Sequence, residues 1–210
     1  MSSYIDLTMP IAPSMPFNPD HFPPQLTTYA TVPTHGWEAR RLTLDSHLGT
    51  HLDAPSHFIE GGTTIEGLSL DALVGPAQVI HLTEIGAGET ITAHHLPSIR
   101  DERVLIRTGW ASRMLGRAEY FTQYPDLSPD AAHALVDAGV RLVGFDTPSP
   151  DYDPGETHRV LLGRGVVILE NVMNLERIPD HCWIAALPMP VVGGDGSPAR
   201  VIVQVDASMR

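Results

Sequence analysis

Three histidines and an aspartate crowd one short stretch, Asp45-Ser-His-Leu-Gly-Thr-His-Leu-Asp-Ala-Pro-Ser-His-Phe58, at positions 47, 51, 53 and 57. Imidazole nitrogens with a carboxylate oxygen suit a borderline divalent cation such as zinc or manganese. The spacings are four, two and four. On a helix, at about 100° per residue, these positions divide between two faces. On an extended chain every spacing is even, so all four side chains share one face. Gly49, Thr50 and Pro55 also argue against a helix. A flat strand, however, sets His47 and His51 about 13 Å apart at ~3.3 Å per residue, too far to share an ion. The chain must therefore bulge or fold back, and Gly49 and Pro55 are where it can.

A second group lies downstream. Asp146-Thr-Pro-Ser-Pro-Asp151 follows an apolar run over 140–145, His158 falls on a short helical segment, and Glu170 closes a run over 166–169. Acidic residues at strand ends collect at a sheet rim, where α/β proteins place their sites. By residue type alone, His158 reads equally well as a surface histidine and Glu170 as an exposed strand-end carboxylate.

The elements that must position these groups are mostly strands. Short β-branched runs bounded by Gly, Pro, Asp or Ser recur over 4–8, 25–32, 40–45, 77–83, 103–108, 140–145, 166–169, 182–186 and 201–205. Several are continuously apolar, as in strands buried on both faces. Helix signals are fewer. Ser128-Pro129-Asp130 opens a helix that Gly139 stops, and shorter helices are expected over 69–74, ended by Gly75, and over 156–162, ended by Gly163. The segment 9–24 holds six prolines and reads as an ordered arm or lid. The whole is strand-rich α/β with few short helices, in a single domain over 1–210.

Composition removes other chemistries. All thirteen basic residues are arginine, which excludes a Schiff-base lysine and a P-loop. The single cysteine, Cys182, lies on an apolar strand and reads as an inert core thiol; it forms no intrachain disulfide and no thiolate cluster. A net charge of −12 without a basic run argues against nucleic acid and anionic membranes as partners. No apolar run approaches the ~20 residues of a membrane span, and no signal peptide is visible, so a cytoplasmic location is expected. Neither Gly-x-Ser-x-Gly nor His-Glu-x-x-His occurs. Of the remaining histidines, His94 and His95 are expected at the surface, His133 falls on the helix over 128–138, and His21, His35, His81 and His181 carry no assigned role. Trp37 and Phe17 are candidates for aromatic contact with a substrate, and Arg40 and Arg41 for a carboxylate.

The pattern His47-x-Gly-Thr-His51-x-Asp-Ala-Pro-x-His57 resembles the signature of the cyclase family of metal-dependent hydrolases, which includes bacterial kynurenine formamidases and isatin hydrolases. Ile5-Asp-Leu-Thr8, Gly144-Phe-Asp-Thr-Pro-Ser149, Leu187-Pro188 and Asp195-Gly-Ser-Pro-Ala-Arg200 resemble further family segments in order. The resemblance implies a swivelling β/β/α fold built round a mixed sheet, usually as a homodimer or homotetramer. It implies His47, His51 and Asp53 on a first metal, with Asp53 able to bridge to a second metal held by His158 and Glu170. Zinc is the first choice of ion, one or two per site, with manganese the second. His57 is then the catalytic acid/base, a group that titrates near neutrality beside the ligands. The expected reaction on a small-molecule substrate is hydrolysis of an N-formyl anilide or cyclic amide by water that the ion activates. An isatin or lactone hydrolase, or a non-catalytic metal-binding protein, is the alternative. One departure stands out: formamidases carry a tryptophan before the aspartate of the first strand, near the substrate ring, and this chain has Ile5.

Overall fold

A computed structural model of the chain describes residues 3–152 and 155–205, so the outer limits of the expected domain lie outside the described residues. Strands form at β1 (Ser3–Asp6), β2 (Gln25–Ala30), β3 (Ala39–Thr43), β4 (His51–Asp53), β5 (Val74–His81), β6 (Thr90–Ile91), β7 (Arg103–Arg107), β8 (Asp126–Leu127), β9 (Leu142–Phe145), β10 (Val167–Glu170), β11 (His181–Pro188) and β12 (Gly196–Val205). Helices are α1 (Val32–His35), α2 (Leu70–Leu73), α3 (Trp110–Met114), α4 (Pro129–Asp137) and α5 (Glu156–Gly163).

The main sheet is mixed. Its strand order is β1-β12-β11-β5-β7-β9-β10-β4, and β4 also pairs with β12, so seven strands close a ring with β1 attached outside it. Neighbours from β5 to β10 run parallel. Strands β4, β11 and β12 close the ring through antiparallel pairs. The apolar runs of the parallel strands follow from burial on both faces. Leu105, Leu142, Val167 and Leu169 join one core cluster. Their chain neighbours Val104, Ile106, Val143 and Ile168 join a second, which Ala131, Leu135, Leu161 and Leu162 of α4 and α5 cover.

The predicted α4 forms with Pro129 in its first turn, and the Ser128 hydroxyl accepts from Ala131 N at 3.4 Å. Two helix ends differ from expectation. The chain passes from α2 straight into β5, so Gly75 lies inside a strand, and α5 runs through Gly163 toward Gly165 at φ +74°. Helix α3 is too short to show a periodicity in sequence. Strand β12 begins at Gly196, upstream of the β-branched run, because Gly196, Ser197 and Pro198 pair with Asp53, Leu52 and His51. That is a tertiary cause which local propensity does not carry.

The proline-rich segment is ordered, as expected of an arm. Met9 and Met15 bury against Leu48, and the Thr50 hydroxyl accepts from Met9 N at 2.8 Å. No helix of the described residues is long and apolar enough to cross a membrane.

The two bends expected in the histidine segment are present. Gly49 sits at φ +61°, where a Cβ would come within 2.8 Å of Met15 Cε. Pro55–His57 forms a single 3₁₀ turn. A side chain at Gly49 therefore meets both a left-handed backbone and the arm. Gly49→Ala is expected to lower unfolding free energy by about 1–2 kcal/mol from the backbone alone, read as a reduced urea midpoint at unchanged slope. A midpoint equal to that of the parent protein would show that the bend tolerates a Cβ.

Candidate metal centre and cleft

The fold brings all six sequence-predicted site residues to one place. His51 and Asp53 lie on β4, two residues apart, and face the same side. Glu170 is the cross-strand partner of His51 in the antiparallel β10–β4 pair. His47 reaches in from the turn before Gly49, and His57 from the 3₁₀ turn after Pro55. The His47 ring centroid lies 5.0 Å from that of His51 and 4.0 Å from that of His57. His158 enters from the first turn of α5.

The two carboxylates divide their oxygens. Asp53 Oδ1 lies 2.8 Å from His47 Nδ1 and 3.3 Å from His51 Nε2, while its Oδ2 faces His158 Nε2 at 3.7 Å. Glu170 Oε2 lies 3.2 Å from His51 Nε2, and Oε1 lies 3.5 Å from His158 Nε2. Each carboxylate thus spans two sets of imidazole nitrogens. His51 Nε2 is fully buried and meets no partner in hydrogen-bonding geometry. A buried nitrogen without a partner costs free energy, and a cation is the partner that this donor set suits.

The outer nitrogens are tied off. His51 Nδ1 donates to the Gly49 carbonyl at 2.8 Å. His158 Nδ1 donates to Asp151, whose other oxygen accepts from Thr157 N at 2.7 Å and so caps the start of α5. His47 Nε2 lies 2.9 Å from Asp195 Oδ2. Phe58 stacks on the His158 ring at 4.5 Å, and Gly155 leaves room for it, since a Cβ there would come within 2.4 Å of the Phe58 ring.

Burial opposes charge on His51, but the carboxylates of Asp53 and Glu170 outweigh it and hold its pKa well above the ordinary 6.5. At His158 burial is likewise outweighed, by Asp151, Asp53 and Glu170. Burial alone would raise the pKa of Asp53; the imidazoles of His158, His47 and His51 gathered round it instead pull it well below the ordinary 3.8. His57 is the exception. Burial lowers its pKa, and although the Asp53 charge opposes this, the neighbouring His47 and His158 add to it. The cluster therefore holds a neutral imidazole beside groups that favour positive charge.

The site opens on a cleft of about 450 Å³. Phe17 from the arm, with Phe58, Phe121, Tyr124 and Tyr152, gives it aromatic walls. Ile5, which stands where formamidases carry a tryptophan, packs on the core and is not among the cleft residues. The β1 strand turns its residue 5 to the core, and the arm that follows supplies the cleft wall. Trp37, exposed in the connection between β2 and β3, and Arg40 and Arg41, on β3, are not among the cleft residues.

Asp151, Asp195, His21 and Phe58 also belong to the site, and sequence reading assigned none of them a role. Asp151 stood in a motif segment whose register to α5 was unknown. Asp195 lies 148 positions from His47, with only its place in a matching C-terminal segment to mark it. Asp146, grouped with Asp151 by sequence, has both oxygens engaged away from the cluster: it accepts from Thr108 N, Thr108 Oγ1 and Gly109 N. Cys182 is buried on β11, where burial pushes its thiol up to about 12, in keeping with an inert core residue.

Known proteins are similar to this chain in sequence and in fold. It is 32% identical over 206 residues to kynurenine formamidase of Bordetella avium, covering 95% of this chain and 96% of that protein. It is 38% identical over 172 residues to kynurenine formamidase of Bacillus cereus, covering 78% of each. A solved structure described as a potential metal-dependent hydrolase with cyclase activity superposes with a TM-score of 0.82 at 31% identity, covering 97% of this chain and 98% of that one. Isatin hydrolase A from Labrenzia aggregata, bound to benzyl benzoate, superposes with a TM-score of 0.84 at 26% identity, covering 97% and 94%. The family described as putative cyclase matches residues 5–152, the stretch that carries the histidine motif and the Asp151 loop, and the chain belongs to that cyclase family.

Proposed function

We propose that this chain is a metal-dependent hydrolase of carbon–nitrogen bonds that cleaves an N-formyl anilide, in the manner of the kynurenine formamidases it resembles. The observation that carries the reading is the unpartnered, buried His51 Nε2 between two carboxylates that each span two imidazole sets. His47, His51, Asp53 and Glu170 would hold one ion; Asp53, Glu170 and His158 would hold a second. The nitrogen-rich donor set favours zinc, with manganese as the alternative. When bound, such an ion lowers the pKa of a coordinated water to about 7 and polarises the scissile carbonyl.

The chain's own residues do the rest. His57 is neutral in the cleft, so its ring can take a proton from the attacking water and return it to the leaving nitrogen. An anilide nitrogen leaves poorly as an anion, and this return is what the reaction requires. Asp151 holds the His158 ring with Nε2 toward the carboxylates. The aromatic walls exclude water from an aryl ring and align it by stacking. Isatin is a second substrate to test, because it presents the same aryl ring and an amide carbonyl to that cleft and isatin hydrolase A shares the fold.

We also propose a second copy of the chain as partner, seated on the β2–β3 ribbon. The ribbon exposes Tyr29, Trp37 and Leu42, and an isolated two-stranded ribbon is marginal in water. Sedimentation is expected to show a dimer or tetramer, and Trp37→Asp to shift it toward monomer. A monomeric parent protein at micromolar concentration would remove this partner.

His57→Ala is expected to keep its metal by elemental analysis and to lose roughly 10²–10⁴-fold in kcat on formylkynurenine. Asp53→Ala is expected to lose the metal itself. A panel of formylkynurenine, isatin and a lactone, run after chelation and again after zinc or manganese add-back, tests reaction and ion together. No metal-dependent turnover of any of the three would overturn the reading.

A pH prediction follows from the raised histidines. Between pH 7 and 9, His57 is neutral and Asp53 ionised whether the chain is folded or not. His51 and His158 have folded-state pKa values above the ordinary 6.5. Their contribution to stability is full below that value and is lost as pH rises through the folded values. The Tm of the metal-free protein is therefore expected to fall from pH 7 to 9. Zinc competes with those protons, so the Tm increment it adds is expected to grow over the same range. Thermal scans with and without zinc check both slopes, and opposite slopes would refute the charge assignment.

A further inference from the structure

Asp195 is an acidic residue of this site that the proposed ligand set does not use. It enters at the start of β12. Its backbone carbonyl accepts from Ala54 N at 2.9 Å, and the next residue, Gly196, pairs with Asp53. The backbone thus carries Asp195 directly across from the 51–57 segment. Its Oδ2 lies 2.9 Å from His47 Nε2 and 3.3 Å from His57 Nδ1. The two rings lie 4.0 Å apart at an interplanar angle of 32°, so a single oxygen reaches both. Gly196 makes the approach possible, since a Cβ there would come within 2.7 Å of His47 Cε1.

Asp195 forms a candidate metal group with His47 and His57, but two features separate it from the proposed ligands. Its side chain is 44% exposed, against 1% for Asp53. It also meets His47 through Nε2, the nitrogen opposite the Nδ1 that faces Asp53. An imidazole that held ions on both nitrogens would have to be imidazolate, whereas a carboxylate on the outer nitrogen of a liganding histidine is the ordinary arrangement.

We propose that Asp195 is a positioning residue whose carboxylate accepts from His47 Nε2 and His57 Nδ1 together. The first contact holds His47 with Nδ1 toward the ion site. The second leaves the lone pair of His57 Nε2 free to take a proton in the cleft. One carboxylate then sets the orientation of a ligand and of the acid/base at once. The roles of the two histidines rest on the hydrolase reading above; the ring orientations do not.

The test uses the zinc-loaded full chain, with Asp195→Ala and the volume-preserving Asp195→Asn. Long-range ¹H–¹⁵N spectra of the histidine rings report which nitrogen carries the proton. Competition with a chromogenic chelator gives zinc affinity, and formylkynurenine hydrolysis gives kcat and KM. Both variants are expected to lose the Nδ1–H form of His57 and to bind zinc roughly 10–100-fold more weakly. Their kcat should fall by a similar factor while KM stays within about threefold. A residue that merely supports the fold would lower Tm and leave the ring signals in place. Ring signals and zinc affinity equal to the parent protein's in both variants would overturn the proposal. If the parent protein neither retains zinc nor hydrolyses the substrate, the hydrolase reading fails; the ring spectra of the metal-free chain then still decide the Asp195 contacts.

Discussion

Two carboxylates buried within one sheet are the constraint on which the rest of this structure depends. The side chains of Asp53 and Glu170 are 1% and 7% exposed. A carboxylate taken out of water is strongly unfavourable unless charge and hydrogen bonds offset it. Three imidazoles surround this pair, and each carboxylate is shared between them. The result is a densely polar centre on the closed sheet, in which removing any member leaves a buried charge with fewer partners.

The closed ring exists at the point where that centre needs it. Strand β4 contributes three residues and sits between β10 and β12. Its β10 side supplies Glu170, and its β12 side supplies the backbone that carries Asp195. The motif threonine serves the same closure. The Thr50 hydroxyl donates to the carbonyl of Asn171, the residue after Glu170, while accepting from the arm at Met9. Asn171 is held at φ 55° and its side chain accepts from Tyr120. Farther out, Arg200 of the C-terminal segment grips Asp6 of β1 through two nitrogens, at 2.8 and 3.1 Å. Segments far apart in sequence thus fasten the strands around the carboxylate–imidazole cluster.

Division of labour within the centre follows from small differences in surroundings. His51 and His158 face two carboxylates each and favour a positive charge. His57 lies beside other imidazoles and favours neutrality. One residue type therefore stands in two charge environments, with the distinction made by which oxygens lie within reach.

Much of this was legible in the amino-acid order. The even spacing of positions 47, 51, 53 and 57, interrupted by Gly49 and Pro55, required a common face and two bends, and both bends are there. The apolar runs marked the strands because burial on both faces leaves a continuous signature in any strand. Ser128, Pro129 and Gly139 marked α4 because caps act through neighbouring backbone groups. Nothing local could show that Glu170 stands opposite His51, that Asp195 meets His47 across 148 positions, or that Phe17 shares a cleft wall with Phe121 and Tyr152. Those facts are set by strand register and by the closure of β4 onto β12. Register is chosen by the burial of whole strand faces against one another, a property of the assembled sheet and of no single segment.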